Sequence, residues 1–509
     1  MDHPFRGSTS IWTITSRMPH FTSLDRDEEA DVCIIGGGMA GLTCAYLLAR
    51  ERQKVVLIEA DEIGCGETGK TTAHISITDD GIYAIESRFG EEAARLVAES
   101  FKKAADTIES IVESERIDCE FERLNGYLFS QRGNAIDELD REYEAAKKAE
   151  IPVAMFDRVP GLSFDTGPCI EFQNQAQFHP LKYLSGLCDA ITLKGGGIYA
   201  ATRATRIEGN SRKRIVRTEK GRITADAVIV ATNTPFNDRI VMHSKQAGYM
   251  SYVLGFRIPK GSVPRMLLWD DGDPYYYVRL ASPGDERKTH DILLVGGQDF
   301  RVGQDPHPEH RFYEIEQWVR VRFLMAGPVE FRWSGEVMEP SDGLAYLGIN
   351  PMDGKNVYIV TGDSGDGISH STIGALLITD LLMGRENEWS GLYDPARKPA
   401  HGMGEFIKEQ ANTLSKYADW ITGGEVDSAD RIHPGNGAII RSGATKHAIF
   451  RDEKNTLHSL SATCTHLGCI VSWNSAEKSW DCPCHGSRFG AEGNVLHGPA
   501  NAPLHPDKD

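Results

Sequence analysis

The sequence predicts an α/β chain, a Rossmann-like doubly wound fold of two-domain type, followed by a small all-β domain. Three observations predict it. Residues 31–60 read as strand, tight glycine turn, helix and strand. A second apolar strand, Asn356–Val360, runs into another glycine-rich turn and a helix reaching about Met383. The C-terminal segment then holds short strands, many glycines and a cluster of four of the ten cysteines.

The 509 residues exceed what a single core supports, since cores stop growing at roughly 250–300 residues. With 40% hydrophobic and 25% charged residues the composition is that of a folded globular chain. A formal net charge of -18 argues against nucleic acid as a partner, because phosphate binding needs a basic surface. It suits a solvated acidic surface or docking to a basic redox partner. The N-terminus shows no apolar h-region and no twin arginine, and no apolar run of membrane-spanning length occurs. A cytoplasmic location without membrane insertion is the expectation.

In the first βαβ unit, Asp31–Ile35 is the strand, Gly36–Gly41 the turn, Leu42–Arg50 the helix and Lys54–Glu59 the second strand. Gly36-Gly37-Gly38-Met39-Ala40-Gly41 fits G-x-G-x-x-G. Gly36 permits the turn, Gly38 lets main chain approach a pyrophosphate, and Gly41 lets helix and strand pack closely. The helix N-terminus offers free N–H groups to phosphates. Glu59, ending the second strand, is placed to accept from a ribose diol. Gly64–Ser76 is a Gly/Thr-rich loop, and Glu91–Glu113 an amphipathic helix. Ala225–Ala231 is a buried strand, and residues 245–335 hold aromatic and apolar runs of strand type. The late helix N-terminus near Gly367-Ile368-Ser369 can stabilise negative charge on a reduced isoalloxazine, which favours FAD over NAD.

From Asp31 to Glu386 the chain resembles the D-amino-acid oxidase-like (DAO) family of FAD-dependent oxidoreductases. The resemblance rests on Gly36–Gly41, Glu59, Gly64–His74, Ala231-Thr232, Trp333-Ser334-Gly335 with Pro340–Gly343, and Thr361–Ser369. It implies FAD held by Gly36, Gly38, Met39, Ala40, Gly41, Glu59, Ala60, Thr68, Thr71, Thr72, Ala231, Thr232, Gly362, Gly365, Gly367, Ile368 and Ser369. It further implies a β-rich substrate domain over the flavin and oxidation of a C–N bond by hydride transfer. Some relatives attach flavin to a histidine in the loop after the first acid. That position is Lys70 here, so the expectation is non-covalent FAD, with His74 close by. Catalytic candidates are Tyr275 and Tyr277, whose hydroxyls suit orienting a substrate, and Arg279, suited to a carboxylate. Arg332 and His370 are further candidates. Each type also serves as a packing aromatic or a structural charge.

Near the C-terminus, Cys464-Thr465-His466-Leu467-Gly468-Cys469 is followed by Cys482-Pro483-Cys484-His485-Gly486-Ser487. Each half supplies one thiolate and one imidazole: Cys464 and His466, then Cys482 and His485. Two thiolates on one iron and two imidazoles on the other suit a [2Fe–2S] cluster. Spacing alone also admits zinc. Cys469 and Cys484 each lie a few residues past a ligand, and a disulfide between them would tie the two loops together, which weighs against zinc. The segment resembles Rieske proteins of the cytochrome bc type through CTHLGC, CPCHGS and Gly498-Pro499-Ala500. That resemblance implies Cys464, His466, Cys482 and His485 as ligands and a Cys469–Cys484 disulfide. Where its pattern places a hydrogen-bonding tyrosine, this chain has Phe489, and Ser487 is kept; a potential below that of respiratory relatives is expected.

Over nearly its full length the chain is similar to bacterial FAD-dependent oxidoreductases with a C-terminal Rieske domain. Asn174–Pro180, Asp452-Glu453 and Trp480-Asp481 add to that likeness. The domain expectation is an extension over 1–30 and a DAO-like oxidoreductase over 31–400. Its FAD-binding parts are expected at about 31–85, 160–240 and 335–390, and its substrate domain at about 86–159 and 241–334. A helix and linker follow over 401–424, with the Rieske domain over 425–509.

The functional expectation is an amine or amino-acid dehydrogenase or oxidase. Electrons pass singly from FAD through the cluster, leaving by solvent-exposed His466 and His485 to an external one-electron partner. The alternatives are a Rieske-fed reductase or monooxygenase using an external donor, and a non-catalytic redox carrier or sensor.

Overall fold

The computed structural model describes residues 8–77, 81–130, 136–237, 242–284, 289–398, 412, 416–420 and 423–507. Its first layer is an eight-stranded sheet. Glu28–Ile35 lies at the centre, parallel to Arg222–Val230 on one side and Val55–Ile58 on the other. Val357–Thr361 continues the parallel run beyond Arg222–Val230, and Gly197–Tyr199 continues it beyond Val55–Ile58. Strands buried on both faces read as continuous apolar runs, which is why these segments were legible as strands.

Helices cover the sheet. Met39–Arg50 is apolar nearly all round because it is wedged between sheet, the helix Gly367–Leu382 and the helix Pro180–Leu193. Glu91–Glu115 buries Ala94, Val97, Phe101, Ala104, Ile108 and Ile111, a stripe at three- and four-residue spacing. It stops at Arg116, whose φ of 54° is left-handed. This helix packs on Gly367–Leu382, so it lies with the first sheet and not with the substrate part expected to begin near residue 86.

The second layer is a nine-stranded sheet in the order Val329–Pro340, Gln246–Pro259, His290–Arg301, Tyr276–Ala281, Leu267–Asp270, Glu122–Phe129, Cys169–Gln177 and His74–Ile75, with Val153–Phe156 beside Cys169–Gln177. It takes in His74–Ile75 and Cys169–Gln177, which fall within the stretches expected to bind FAD. Strand pairing outweighs chain proximity here: His74 pairs with Gln177 across the sheet edge.

The N-terminal segment is bound into this body. Ser10 caps the short helix Ile11–Thr15, accepting from the Thr13 N–H, and donates to the Gly69 carbonyl at 2.6 Å. Trp12 Nε1 donates to the Thr71 carbonyl at 2.6 Å. Residues that read as an extension therefore brace the loop that follows Glu59.

The C-terminal unit has a three-stranded sheet, Asn436–Ser442, Thr445–Arg451 and Leu457–Ser461, and a four-stranded one, Ser472–Asn474, Ser479–Asp481, Arg488–Gly490 and Val495–His497. Its core contains Trp480, Phe489 and Leu504 around the cluster cysteines. The helix and linker expected over 401–424 fall mostly outside the described residues. Among the described residues no helix is long and apolar enough to cross a membrane.

Candidate functional site

One cavity of about 280 Å³ runs from the glycine turn to the second sheet. Gly36, with φ of 115°, bends the chain where a Cβ would strike the Ala231 carbonyl, so only glycine fits. Met39 N–H, at the start of its helix, donates to Thr68 Oγ1 at 3.0 Å. Glu59 Oε2 accepts from Gly37 N–H at 2.7 Å, and its Oε1 from Asp61 N–H at 3.0 Å. Burial pushes this carboxyl up while those N–H groups hold it down. A second helix N-terminus, at Gly367, points into the same cavity. Two helix N-termini, a bared glycine turn and a carboxylate at the end of the second strand form a cradle suited to a dinucleotide.

Of the expected cofactor residues, Gly36, Gly38, Met39, Ala40, Glu59, Ala60, Thr68, Thr71, Thr72, Ala231, Thr232, Gly365, Gly367 and Ile368 line this cavity. Gly41 instead packs behind the turn against Gly36, Gly362 sits under Tyr346 and Pro340, and Ser369 is buried in its helix. Cys65 lies exposed at the cavity rim, while Cys33, Cys44, Cys119, Cys169 and Cys188 are buried.

The opposite wall comes from the second sheet. Tyr275 and Tyr277 line the cavity with Ser251, Trp269 and His74. Tyr277 Oη lies 2.9 Å from Ser251 Oγ, and Tyr275 Oη donates to Asp299 at 3.0 Å. Burial raises Asp299 to about 6, against hydrogen bonds from Ser251 and Tyr275. Burial beside Arg279 lowers His74 to about 3, so its ring is neutral. Tyr276 points the other way and stacks on Trp318.

Arg279 does not reach the cavity. It is 4% exposed, and its Nη1 donates to the carbonyls of Thr72 and Ala73 at 2.8 Å each and of Phe178 at 3.2 Å. Its guanidinium also faces the Trp12 ring at 5.2 Å. The expected carboxylate clamp is a strut under the cofactor loop. Arg332 pairs with Glu309 over Phe312 and is likewise structural. His370 does line the cavity; its Nδ1 is 2.9 Å from the Asp363 carbonyl, and burial lowers it to about 4.

In the C-terminal unit Cys464 and Cys482 are buried and their thiols hydrogen-bond each other. That bond lowers the pKa of Cys464, helped by the N–H groups of His466 and Leu467 and the Ser487 hydroxyl. Cys482, which would ionise beside the first thiolate, is pushed up. The rings of His466 and His485 stand 5.0 Å apart, and the buried Nδ1 of His485 has no hydrogen-bond partner. Two thiols, two imidazoles and a collar of N–H donors fit a [2Fe–2S] cluster. Cys469 and Cys484 form the disulfide, with Cα atoms 6.5 Å apart. Phe489 is fully buried beside Trp480.

The two sites share a wall. Val495, Leu496, His497 and Gly498 of the C-terminal unit line the same cavity as Gly36 and Tyr277. His497 Nδ1 pairs with Glu336 at 3.1 Å. Burial opposes charge on His497, and Glu336 with Glu67 overrides it, leaving its pKa raised. The cluster imidazoles, expected to face solvent, are half-buried and turned toward the flavin-binding part. Ser251, Trp269, Glu336 and His497 carried no local signal; only sheet packing brings them here.

A dinucleotide cradle walled by an iron–sulfur unit defines a class, the flavin-dependent oxidoreductases with a built-in one-electron centre. Residues 31–381 match the family model for FAD dependent oxidoreductases (DAO), and residues 424–506 match that for the Rieske [2Fe-2S] domain. The chain belongs to the DAO family and carries a Rieske domain, so it binds FAD and a [2Fe–2S] cluster. It is 32% identical over 502 residues to YhfW of Bacillus subtilis (strain 168), described as a Rieske 2Fe-2S iron-sulfur protein, covering 97% of this chain and 96% of that one. It is 28% identical over 389 residues to gamma-glutamylputrescine oxidoreductase of Escherichia coli (strain K12), covering 72% and 86%. Glycine oxidase from Geobacillus kaustophilus shares the fold, with a TM-score of 0.61 at 19% identity over 73% of this chain and 99% of that structure.

Proposed function

We propose that this oxidoreductase oxidises a C–N bond of an amine or amino compound and passes the electrons, one at a time, through its cluster to an external acceptor. The observation that carries the reading is the shared cavity: glycine turn, aromatic wall and Rieske hairpin enclose one space. The amine relatives, including gamma-glutamylputrescine oxidoreductase, support the substrate class.

FAD would lie along Gly36–Ala40, Glu59 and Thr68–Thr72, with Gly365–Ile368 at its reacting end. It supplies a two-electron acceptor, and the cluster a one-electron carrier. The protein's own residues do the rest. Tyr275 and Tyr277 form a wall that orients substrate. Ser251 and Asp299 fix the two hydroxyls from behind. Neutral His74, edge-on to Tyr277 at 5.6 Å, adds no positive charge that would repel an ammonium.

Anaerobic titration with amines and N-methyl amino acids tests the reading. The expected result is bleaching of the flavin followed by loss of the oxidised-cluster absorbance. Reduction only by NAD(P)H with a reductase would reverse the direction of flow, and no response to any small molecule would leave a carrier.

A further inference from the structure

The cluster end of the Rieske unit faces inward. The ring of His243, from the flavin-binding part, packs edge-on against His466 at 4.9 Å and against His485 at 6.1 Å. His243 is 3% exposed, and rings at that spacing leave no room for water between them. Glycines stand on both sides of this contact. A Cβ on Gly303 would meet the Asp481 carbonyl at 2.7 Å and the Pro483 nitrogen at 2.8 Å. One on Gly248 would meet Gly486 Cα, next to His485, at 3.3 Å. Gly303 and Gly486 have φ of +67° and +82°, values that other residues rarely adopt. Polar bonds complete the seat: Ser472 Oγ donates to the Gly303 carbonyl at 2.8 Å, and Gln304 Nε2 to the Pro483 carbonyl at 3.0 Å. Loosely docked domains meet through polar surfaces that retain their side chains. Here, beside the rings, main chain approaches main chain at Gly248 with Gly486 and at Gly303 with Asp481 and Pro483.

We infer that the imidazole edge of the cluster site is the internal port, the side through which electrons cross between the flavin cavity and the cluster. His243 is its positioning residue, and an external partner meets the Rieske unit elsewhere. This rests on the reading that the two cofactors exchange electrons. Each passage moves one electron, taking the histidine-bound iron from ferric to ferrous. A one-electron acceptor reoxidises it before the next passage. Two passages empty the reduced flavin, whose proton leaves to solvent.

The test uses the full chain loaded with both cofactors, without air. Bound flavin is photoreduced with EDTA as donor, and loss of the oxidised-cluster absorbance is timed, with the reduced-cluster EPR signal as endpoint. His243→Leu and Gly303→Val disturb the same contact independently. Each is expected to slow flavin-to-cluster transfer by about tenfold or more, the usual effect of losing a residue behind a metal ligand. FAD, iron and sulfide contents stay at wild-type levels, and so does reoxidation of dithionite-reduced cluster by ferricyanide. An unchanged internal rate in the variants overturns the inference, as does an unchanged internal rate with faster ferricyanide oxidation, which would make this edge the exit. Absence of transfer in the wild-type protein removes the proposed electron route and this port together.

Discussion

Replacing Arg279 with methionine separates a strut from a substrate clamp. The side chain serves four main-chain carbonyls, two of them in the loop that runs along the cavity. Burial lowers its pKa to about 9, which still leaves it cationic at neutral pH. Methionine fills much of the same volume but donates nothing. A buried acceptor left unpaired costs about 1–3 kcal/mol, and relief of the buried charge offsets part of the sum, so a net loss of about 3 kcal/mol is expected. In a chain of this size that lowers the melting temperature by about 5 °C. The loop carries Thr71 and Thr72, so FAD should also be released more readily. The assay is thermal unfolding followed by the rise of free-flavin fluorescence, beside KM for substrates with and without a carboxylate. Arg279→Lys, which keeps charge but loses the fork, should fall between. Unchanged melting with a KM rise confined to carboxylate-bearing substrates would refute the strut.

Glu59→Ala should weaken FAD binding by about tenfold, through loss of one net hydrogen bond worth about 1.4 kcal/mol, read by ultrafiltration of the loaded protein. For Asp299, the folded state holds the proton more tightly than the unfolded chain. That stabilisation is full below about pH 4 and lost as pH rises through about 6. Asp299→Asn should therefore melt higher than wild type at pH 8, by about 2 kcal/mol after allowance for partial exposure, and show no gain at pH 4; equal differences at both pH values would contradict the shift. Replacing Cys469 and Cys484 together by alanine should cost the Rieske unit about 3 kcal/mol, as expected for opening a loop of this length. Cluster absorbance would then vanish at a lower temperature than in the wild-type protein, and an unchanged temperature would contradict the estimate.

What could be read from the residues was what contiguous residues encode. The glycine turn, the acid closing the second strand and the paired Cys/His loops are local patterns, because each chemistry needs its groups within one turn. The late helix N-terminus near Gly367 was legible for the same reason. Tyr275, Tyr277 and Arg279 share one face of a strand by two-residue alternation, so their grouping was readable. The reach of Arg279 was not, since its partners Thr72 and Phe178 are distant in sequence. Ser251, Glu336 and His243 gave no signal, because their roles arise from two sheets and a third unit closing on each other. The imidazoles were assigned to solvent for that reason too: the cluster motif fixes its ligands and says nothing of what the motif faces.

The hairpin that carries His497 has a consequence for biosynthesis. A ribosome emits the glycine turn long before the residues that complete its cavity, because Gly36 and Gly498 stand far apart in the chain. Contacts this distant along the chain form late, so the nascent protein can shape its nucleotide-binding half while one wall is still untranslated. Closure of the cavity thus waits on docking of the C-terminal unit, whose residues 495–498 supply one of its walls.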